Sequence, residues 1–463
     1  MHKIYLKDII EKCKGKLIIG NKDILLDNFC KDTRILKEND IYVGIKGENF
    51  EGSTLYKDAF LKGAKGCIIN DIELDYEYLN NIEDKFLIVV EDTIRCLQEL
   101  ATYKRSLYNI PVIGVTGSVG KTSTKDIIAS VLNKKFKVHK TIGNYNNHIG
   151  VPLTILSLKD EDAMVIEMGM NNLGEISLLS KIAKPTISVI TNVGTAHIGN
   201  LGSRENILKA KLEILDGMNK DGILVINNDN DLLNKYYMEN KNNKIITFGC
   251  INKSDYVAKN IKSNEFGSSY NININNINYN FKVDMPGNHQ ILNSLCAITI
   301  GMIFNINIDD INKGISNFEL TNRRMQIEKL NKLTIINDCY NANIDSMKNA
   351  IDYLGSLNNT RKIAILGDML ELGDYKENLH RELGKIVINN KIDIVLLVGD
   401  ATKYTYDELL KNNFDNNNLY LFKNNKDVIE KIKEIKKDND TILIKSSLGM
   451  NFIEIYNGII NKI

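Results

Sequence analysis

Short apolar runs punctuate the middle of this chain, each followed by a longer stretch with helical spacing. The runs are VIGVT (112–116), MVIEM (164–168), ISVIT (187–191) and ILVIN (223–227). Strands that are apolar on both faces suit a parallel sheet covered by helices on each side. The pattern recurs after residue 321 in LTIIND (333–338), IAILGD (363–368), IVLLVGD (394–400) and TILIKS (441–446), which predicts a second, Rossmann-like doubly wound sheet. Before residue 84, DIYVGIKG (40–47) reads as a strand, and LYKDAFLKGAKGCIIN (55–70) as a helix, a glycine stop and a strand. The charged piece at 71–85 reads as a linker. Alternating isoleucines in SYNININNINYNFKV (269–283) predict a polar-faced hairpin. The fold class is therefore α/β, in three units: 1–84, 85–320 and 321–463.

Composition narrows the possibilities. Hydrophobic residues at 43% and charged ones at 25% of the 463 positions fit a globular protein. A formal charge of +1 gives no support for a nucleic-acid partner or an anionic membrane surface. The seven cysteines are scattered without a C-x-x-C pair, as expected of reduced thiols in a cytoplasmic protein. No apolar run approaches the ~20 residues of a membrane span.

The sharpest chemical signal is TGSVGKTS (116–123), between VIGVT and the helical segment DIIASVLNKKF. Strand, glycine loop and helix form an anion cradle from backbone N–H groups and a helix N-terminus. Thr116, Gly117, Ser118, Val119 and Gly120 would surround nucleotide phosphates, with Lys121 on the terminal ones and Thr122 offering a hydroxyl to Mg²⁺. The central unit thus reads as a P-loop, ATPase-like sheet. A bare glycine turn with a surface lysine is the bland alternative.

Two further residues stand beyond strand ends, where open α/β sheets bind ligands. Glu167 closes MVIEM, and a carboxylate there suits a phosphate-bound magnesium ion; a helix cap is the structural alternative. His197 follows ISVIT and a glycine turn, and with Glu167 and a loop hydroxyl it offers a cation site. Lys209 and Lys211, in ENILKAKLEILDGM, read by charge pattern as solvated face charges. Like charges near 4 Å repel by ~4 kcal/mol at an effective dielectric of 20, so a triphosphate facing a carboxylate needs several cations. Arg324, in TNRRMQ, is placed to add one after domain closure; an interdomain salt bridge is the alternative.

These segments, in order, resemble the Mur ligase family of cell-wall precursor enzymes, and within it the dipeptide-adding ligases. DTR (32–34) and KGENFEG (46–52) are similar to its uridine-nucleotide domain, which implies substrate contacts at Thr33, Arg34, Lys46 and Gly47. The general phosphate-loop motif would have a glycine at Val115, and the family's loop lacks that glycine as this chain does. GNYNNHIGVPLTIL (143–156) brings Asn146 and Asn147 as implied substrate contacts. PGNHQILNSLCAI (286–298) resembles the segment near adenine, with Asn293 as the matching asparagine. NDCYNAN (337–343) and LGDMLELG (366–373) are the most characteristic pieces.

The resemblance implies an ATP- and Mg²⁺-dependent amide ligation. A UDP-N-acetylmuramoyl-tripeptide carboxylate would attack the γ-phosphate, and D-alanyl-D-alanine would displace phosphate from the acyl phosphate. It implies catalytic roles for Lys121, His197, Lys211 and Arg324. Magnesium would be held by Thr122, Glu167, His197 and Lys211, the last as a CO₂-derived carbamate. Asp338, Tyr340 and Arg324 would border the nucleotide; Asn341, Asn343 and Lys445 would face substrate. The expected partners are these small molecules, with a monomer as the working unit.

Two departures stand out. GENFEGS puts Glu51 and Ser53 where the family has aspartate and histidine. KSSLGM (445–450) puts Leu448 where it has an arginine, the natural bidentate partner of a carboxylate, so relaxed selectivity among dipeptides is expected. Rival readings are the third-residue-adding ligase of the same family and a nucleotide-binding paralogue without ligase activity. A P-loop kinase or GTPase leaves the third unit without a purpose.

Overall fold

The computed structural model describes residues 3–241, 244–285, 287–318, 325–330 and 332–461. The central unit is built on a seven-stranded sheet in which every neighbouring pair is parallel. Across the sheet the strands run Tyr256–Val257, Ile245–Gly249, Ile223–Asn227, Ile187–Ile190, Val112–Thr116, Ala163–Glu167 and Val138–Lys140. Val112–Thr116 lies between the strands ending at Glu167 and Ile190. The carboxyl ends of these three strands therefore share one crevice, the usual binding position in an open α/β sheet.

Both faces of this sheet are buried, as its unbroken apolar strands require. Ile113, Val115, Val165 and Val189 pack on one side with Ile127, Ile128 and Val131 of the helix Lys121–Leu132 and with Leu295 and Ile298 of His289–Ile303. Val112, Met164, Ile166 and Ile190 face the other side, among Leu97 and Leu100 of Thr93–Ser106 and Leu179 of Glu175–Ala183. The hairpin segment pairs as expected, Gly267–Ile274 with Ile277–Val283, and Lys259–Asn264 adds a third strand. Tyr270, Ile272 and Phe281 on its inner face join the core.

The C-terminal sheet has six strands in the order Gln326–Leu330, Leu333–Asp338, Asp440–Lys445, Arg361–Gly367, Ile394–Val398 and Leu419–Phe422, parallel except for the first. In the N-terminal sheet Phe86–Val90 pairs with Gly66–Asn70 and Lys16–Ile19, so that sheet continues past residue 84. An apolar pentapeptide reads the same at the end of one sheet as at the start of the next. The stretch expected to be a linker holds a short helix, Tyr76–Asn80, whose N-terminus is capped by Asp75. Among the described residues no helix is long and apolar enough to cross a membrane.

The phosphate-loop helix is held in place by close backbone packing. A Cβ at Gly314 of Ile308–Ser316 would come 2.7 Å from Val131 Cα on Lys121–Leu132. Gly314→Ala must push the two helices apart, at about 1–3 kcal/mol. A lowered urea midpoint with unchanged slope is the expected result, and an unchanged midpoint would show that the helices move apart freely.

Candidate active site

The loop between Val112–Thr116 and Lys121–Leu132 is shaped by two glycines and by its neighbour strand. A Cβ at Gly117 would lie 1.9 Å from Thr191 Oγ1, so only glycine fits there. Gly120 has φ of +82° at the helix start, a region costly for other residues. Asn192 Oδ1 accepts from Val119 N–H at 2.9 Å, and Thr191 Oγ1 and Asn192 Nδ2 donate to Val119 O. Ser118 Oγ accepts from Gly194 N–H at 2.9 Å, and Lys121 Nζ donates to Gly117 O at 2.7 Å.

In front of this loop opens a cavity of about 290 Å³ between the central and C-terminal units. Gly120, Lys121, Glu167 and His197 line it from one side, and Asp338, Tyr340, Asn341 and Lys445 from the other. Ser118, Val119, Asn146, Asn147 and Asn343 also reach it. A smaller recess of about 40 Å³ adjoins the loop at Gly120, walled by Asn293, Asn227, Phe248 and Leu292. Asn293 Oδ1 accepts from Thr124 Oγ1 at 3.0 Å, which ties the recess to the loop helix.

Buried charge sets the electrostatics. Glu167 is 1% exposed; its Oε1 accepts from Asn146 Nδ2 at 2.8 Å, while Oε2 has no hydrogen-bond partner among the described residues. Thr116 Oγ1 is also buried and without one. A buried oxygen left bare costs free energy, and hard oxygens of this kind fit Mg²⁺. No group of three or more His, Cys, Asp or Glu among the described residues could hold a metal unaided. A cation here would fill its shell with phosphate oxygens and water, as Mg²⁺ commonly does.

Lys211 is 1% exposed. Burial, together with the nearby Lys121 charge, holds its amine well below the ordinary lysine range. The solvated-face reading of this residue is thus overturned, while Lys209 is exposed as expected. The helix Arg204–Leu212 turns Lys211 inward along with Ile207 and Ala210, two residues that share its buried face. Glu213 is also no mere surface charge: its carboxylate accepts from Gly174 and Ser177 N–H at the start of Glu175–Ala183.

Two family models match the chain, the Mur ligase middle domain over 115–301 and the Mur ligase glutamate ligase domain over 323–448. The UDP-N-acetylmuramoyl-tripeptide–D-alanyl-D-alanine ligase of Bacillus subtilis is 38% identical over 100% of this chain and 99% of its own. The chain belongs to the Mur ligase family. Its fold matches a crystal structure of MurF from Acinetobacter baumannii at a TM-score of 0.88, with 24% identity over 100% and 99% of the two chains. It also matches MurF ligase from Thermotoga maritima in complex with ADP, at 0.80 and 25% over 94% and 97%.

Within this Mur ligase the expected residues fall into three groups. The loop residues, Glu167, His197, Asn146, Asn147, Asp338, Tyr340, Asn341, Asn343 and Lys445 gather at or beside the one cavity. Lys445 Nζ donates to Asp338 Oδ2 and to Asn341 O, and Asn343 caps the helix Ile344–Ser356 through Ser346. Thr122 and Lys211 are both buried and do not line the cavity. Thr33, Arg34, Lys46 and Gly47 stand apart in the N-terminal unit, where Arg34 pairs with Asp32 and Gly47 N–H donates to Phe50 O. Arg324 lies outside the described residues.

Sequence reasoning missed Asn192, His289, Asp345 and Glu371. His289 is half-buried at the wall of both cavities, and burial lowers its imidazole below the ordinary range. Asp345 Oδ2 accepts from Thr195 N–H at 2.9 Å across the two units. His197 Nδ1 lies 2.7 Å from Glu371 Oε2, a contact that holds the Glu371 carboxyl below its ordinary range. Glu371 sits in LGDMLELG, a segment matched to the family, and Asn192 directly follows the strand run ISVIT.

The lowered Lys211 amine makes stability depend on pH. Between its folded value and the ordinary lysine value the unfolded chain binds more protons, so stability rises with pH by up to ~1.4 kcal/mol per unit. Lys211→Met should raise the urea midpoint in CO₂-free buffer and flatten this alkaline rise. A variant that follows the parent's pH curve would show that the buried amine carries no such cost.

Proposed function

We propose that this protein joins D-alanyl-D-alanine to UDP-N-acetylmuramoyl-tripeptide, using ATP and forming an acyl phosphate, in peptidoglycan precursor synthesis. The observation that carries this reading is one cavity lined at once by the phosphate loop, the bare Glu167 oxygen and the Asp338–Asn343 turn of the C-terminal unit. That arrangement suits a reaction in which a nucleotide and two further substrates must meet. The full-length likeness to a ligase of that name in Bacillus subtilis supports the choice of substrates.

The proposed sequence uses the chain's own groups. The phosphate loop's N–H groups and Lys121 hold the β- and γ-phosphates, with the adenine in the recess beside Asn293. Thr122, Glu167 and His197 hold Mg²⁺, which when bound screens the phosphate charge and polarises the γ-phosphoryl group. The tripeptide carboxylate attacks the γ-phosphorus, the bond to the bridging oxygen breaks, and ADP leaves. The dipeptide amine, near Asn341 and Asn343, then attacks the acyl carbon, and phosphate departs after the amine loses a proton.

Lys211 enters as an anion. A neutral, buried amine adds to CO₂ and releases a proton, which converts the uncharged side chain near Lys121 into an anionic carbamate able to accept hydrogen bonds from a cation or bind Mg²⁺. Arg324 adds positive charge at the nucleotide, with Asp338 and Tyr340 at its edge. Thr33, Arg34, Lys46 and Gly47 hold the uridine nucleotide, and Lys445 orients the C-terminal turn toward substrate. The protein works as a cytoplasmic monomer. Leu448 is 53% exposed where relatives of the family pattern carry arginine, which favours loose selection at the dipeptide carboxylate.

Phosphate release with ATP, Mg²⁺ and UDP-N-acetylmuramoyl-tripeptide should depend on added D-alanyl-D-alanine and yield a pentapeptide product by mass. D-Alanyl-D-lactate should also support turnover. Lys121→Ala should lower the rate by ~10²–10³-fold. ATP binding without release on any dipeptide would instead identify a non-catalytic paralogue.

A further inference from the structure

LGDMLELG forms a turn that is pinned on every side. Asp368 accepts from Asp400, Ala401 and Thr402 N–H at the start of Thr402–Lys411. Met369 N–H donates to His380 Nε2, and Leu370 N–H to Ser447 Oγ. Glu371 O accepts from Gly199 N–H at 3.1 Å. A Cβ on Gly199 would lie 2.5 Å from Gly373 N, so the two backbones meet with no room for a side chain. Tyr375 Oη donates to Gly202 O beside them.

This pinning presents Glu371 to His197. Both residues have φ of +63°, an unfavourable region for side chains with a Cβ. Glu371 is half exposed, and an ion pair with one partner open to solvent adds little to stability. Stability therefore does not account for two strained residues facing each other. Orientation does: a carboxylate on one ring nitrogen of a ligating histidine fixes the ring and leaves the other nitrogen for the metal.

We infer that Glu371 is a positioning residue for His197, reaching from the C-terminal unit to set the imidazole for the nucleotide-bound cation. The inference rests on the proposed metal role of His197. Because the two residues belong to different units, the oriented imidazole exists only when those units are together. Cation binding and domain closure are thereby coupled through one side chain.

Mn²⁺ and a non-hydrolysable ATP analogue, with the full-length chain, provide a test without turnover. The parent should show ¹⁴N spin-echo modulation from an imidazole on Mn²⁺, and His197→Ala should lose it. Glu371→Ala should weaken Mn²⁺ binding by about 10–100-fold, with Glu371→Gln intermediate. Adding Glu371→Ala to His197→Ala should cause no further loss. Tyr375→Phe, at the same interface, should leave Mn²⁺ affinity unchanged. Parent-like binding by Glu371→Ala, with His197→Ala impaired, would overturn the positioning role alone. An undiminished Glu371→Ala effect in the His197→Ala background would assign it to the domain contact and also overturn the inference. Parent-like affinity and modulation in His197→Ala would remove the metal role and the inference together.

Discussion

Lys211 and Glu167 put ionisable groups where water cannot reach them, and Lys121 lines the cavity in front of the phosphate loop. Lys211 is a buried amine near the Lys121 charge, and Glu167 has one oxygen without a hydrogen-bond partner among the described residues. Buried groups of this kind are tolerated where a ligand completes them. In the proposed function a triphosphate would lie against Lys121, a cation would complete Glu167, and a carbamate would make Lys211 an anion. The same set of charges lets two anions, a carboxylate and a phosphate chain, approach each other. The sheet topology serves this end by bringing three strand ends to one crevice.

One short segment links that crevice to the C-terminal unit. From Thr191 to Gly202 it supports Val119, donates from Gly194 N–H to Ser118 Oγ, reaches Asp345 through Thr195, meets Glu371 through His197 and abuts Gly373 at Gly199. The phosphate loop and the C-terminal unit thus press on the same few residues. A shift on either side is felt by the other, because the glycine contacts leave no slack.

The long apolar strands and the glycine loop were legible because each depends on local chemistry: runs of buried residues, and a turn only glycine can make. Short strands such as Val138–Lys140 and Gln326–Leu330 were not, since half-polar pieces take their form from the neighbour they pair with. Lys211 was the plainest failure of pattern reading. Its burial follows from which face of Arg204–Leu212 turns toward Glu175–Ala183 and the neighbouring helices, and only likeness to a family pointed to it. Glu371 was visible as part of a motif, yet its target lies 174 positions earlier in the chain, beyond the reach of spacing arguments.

Isotope transfer tests the central chemistry most directly. With ¹⁸O in the terminal carboxylate of the UDP-linked tripeptide, a complete reaction with ATP and D-alanyl-D-alanine should deliver one ¹⁸O to the released phosphate. Phosphate free of ¹⁸O, formed alongside the pentapeptide product, would contradict attack of the carboxylate on the γ-phosphate.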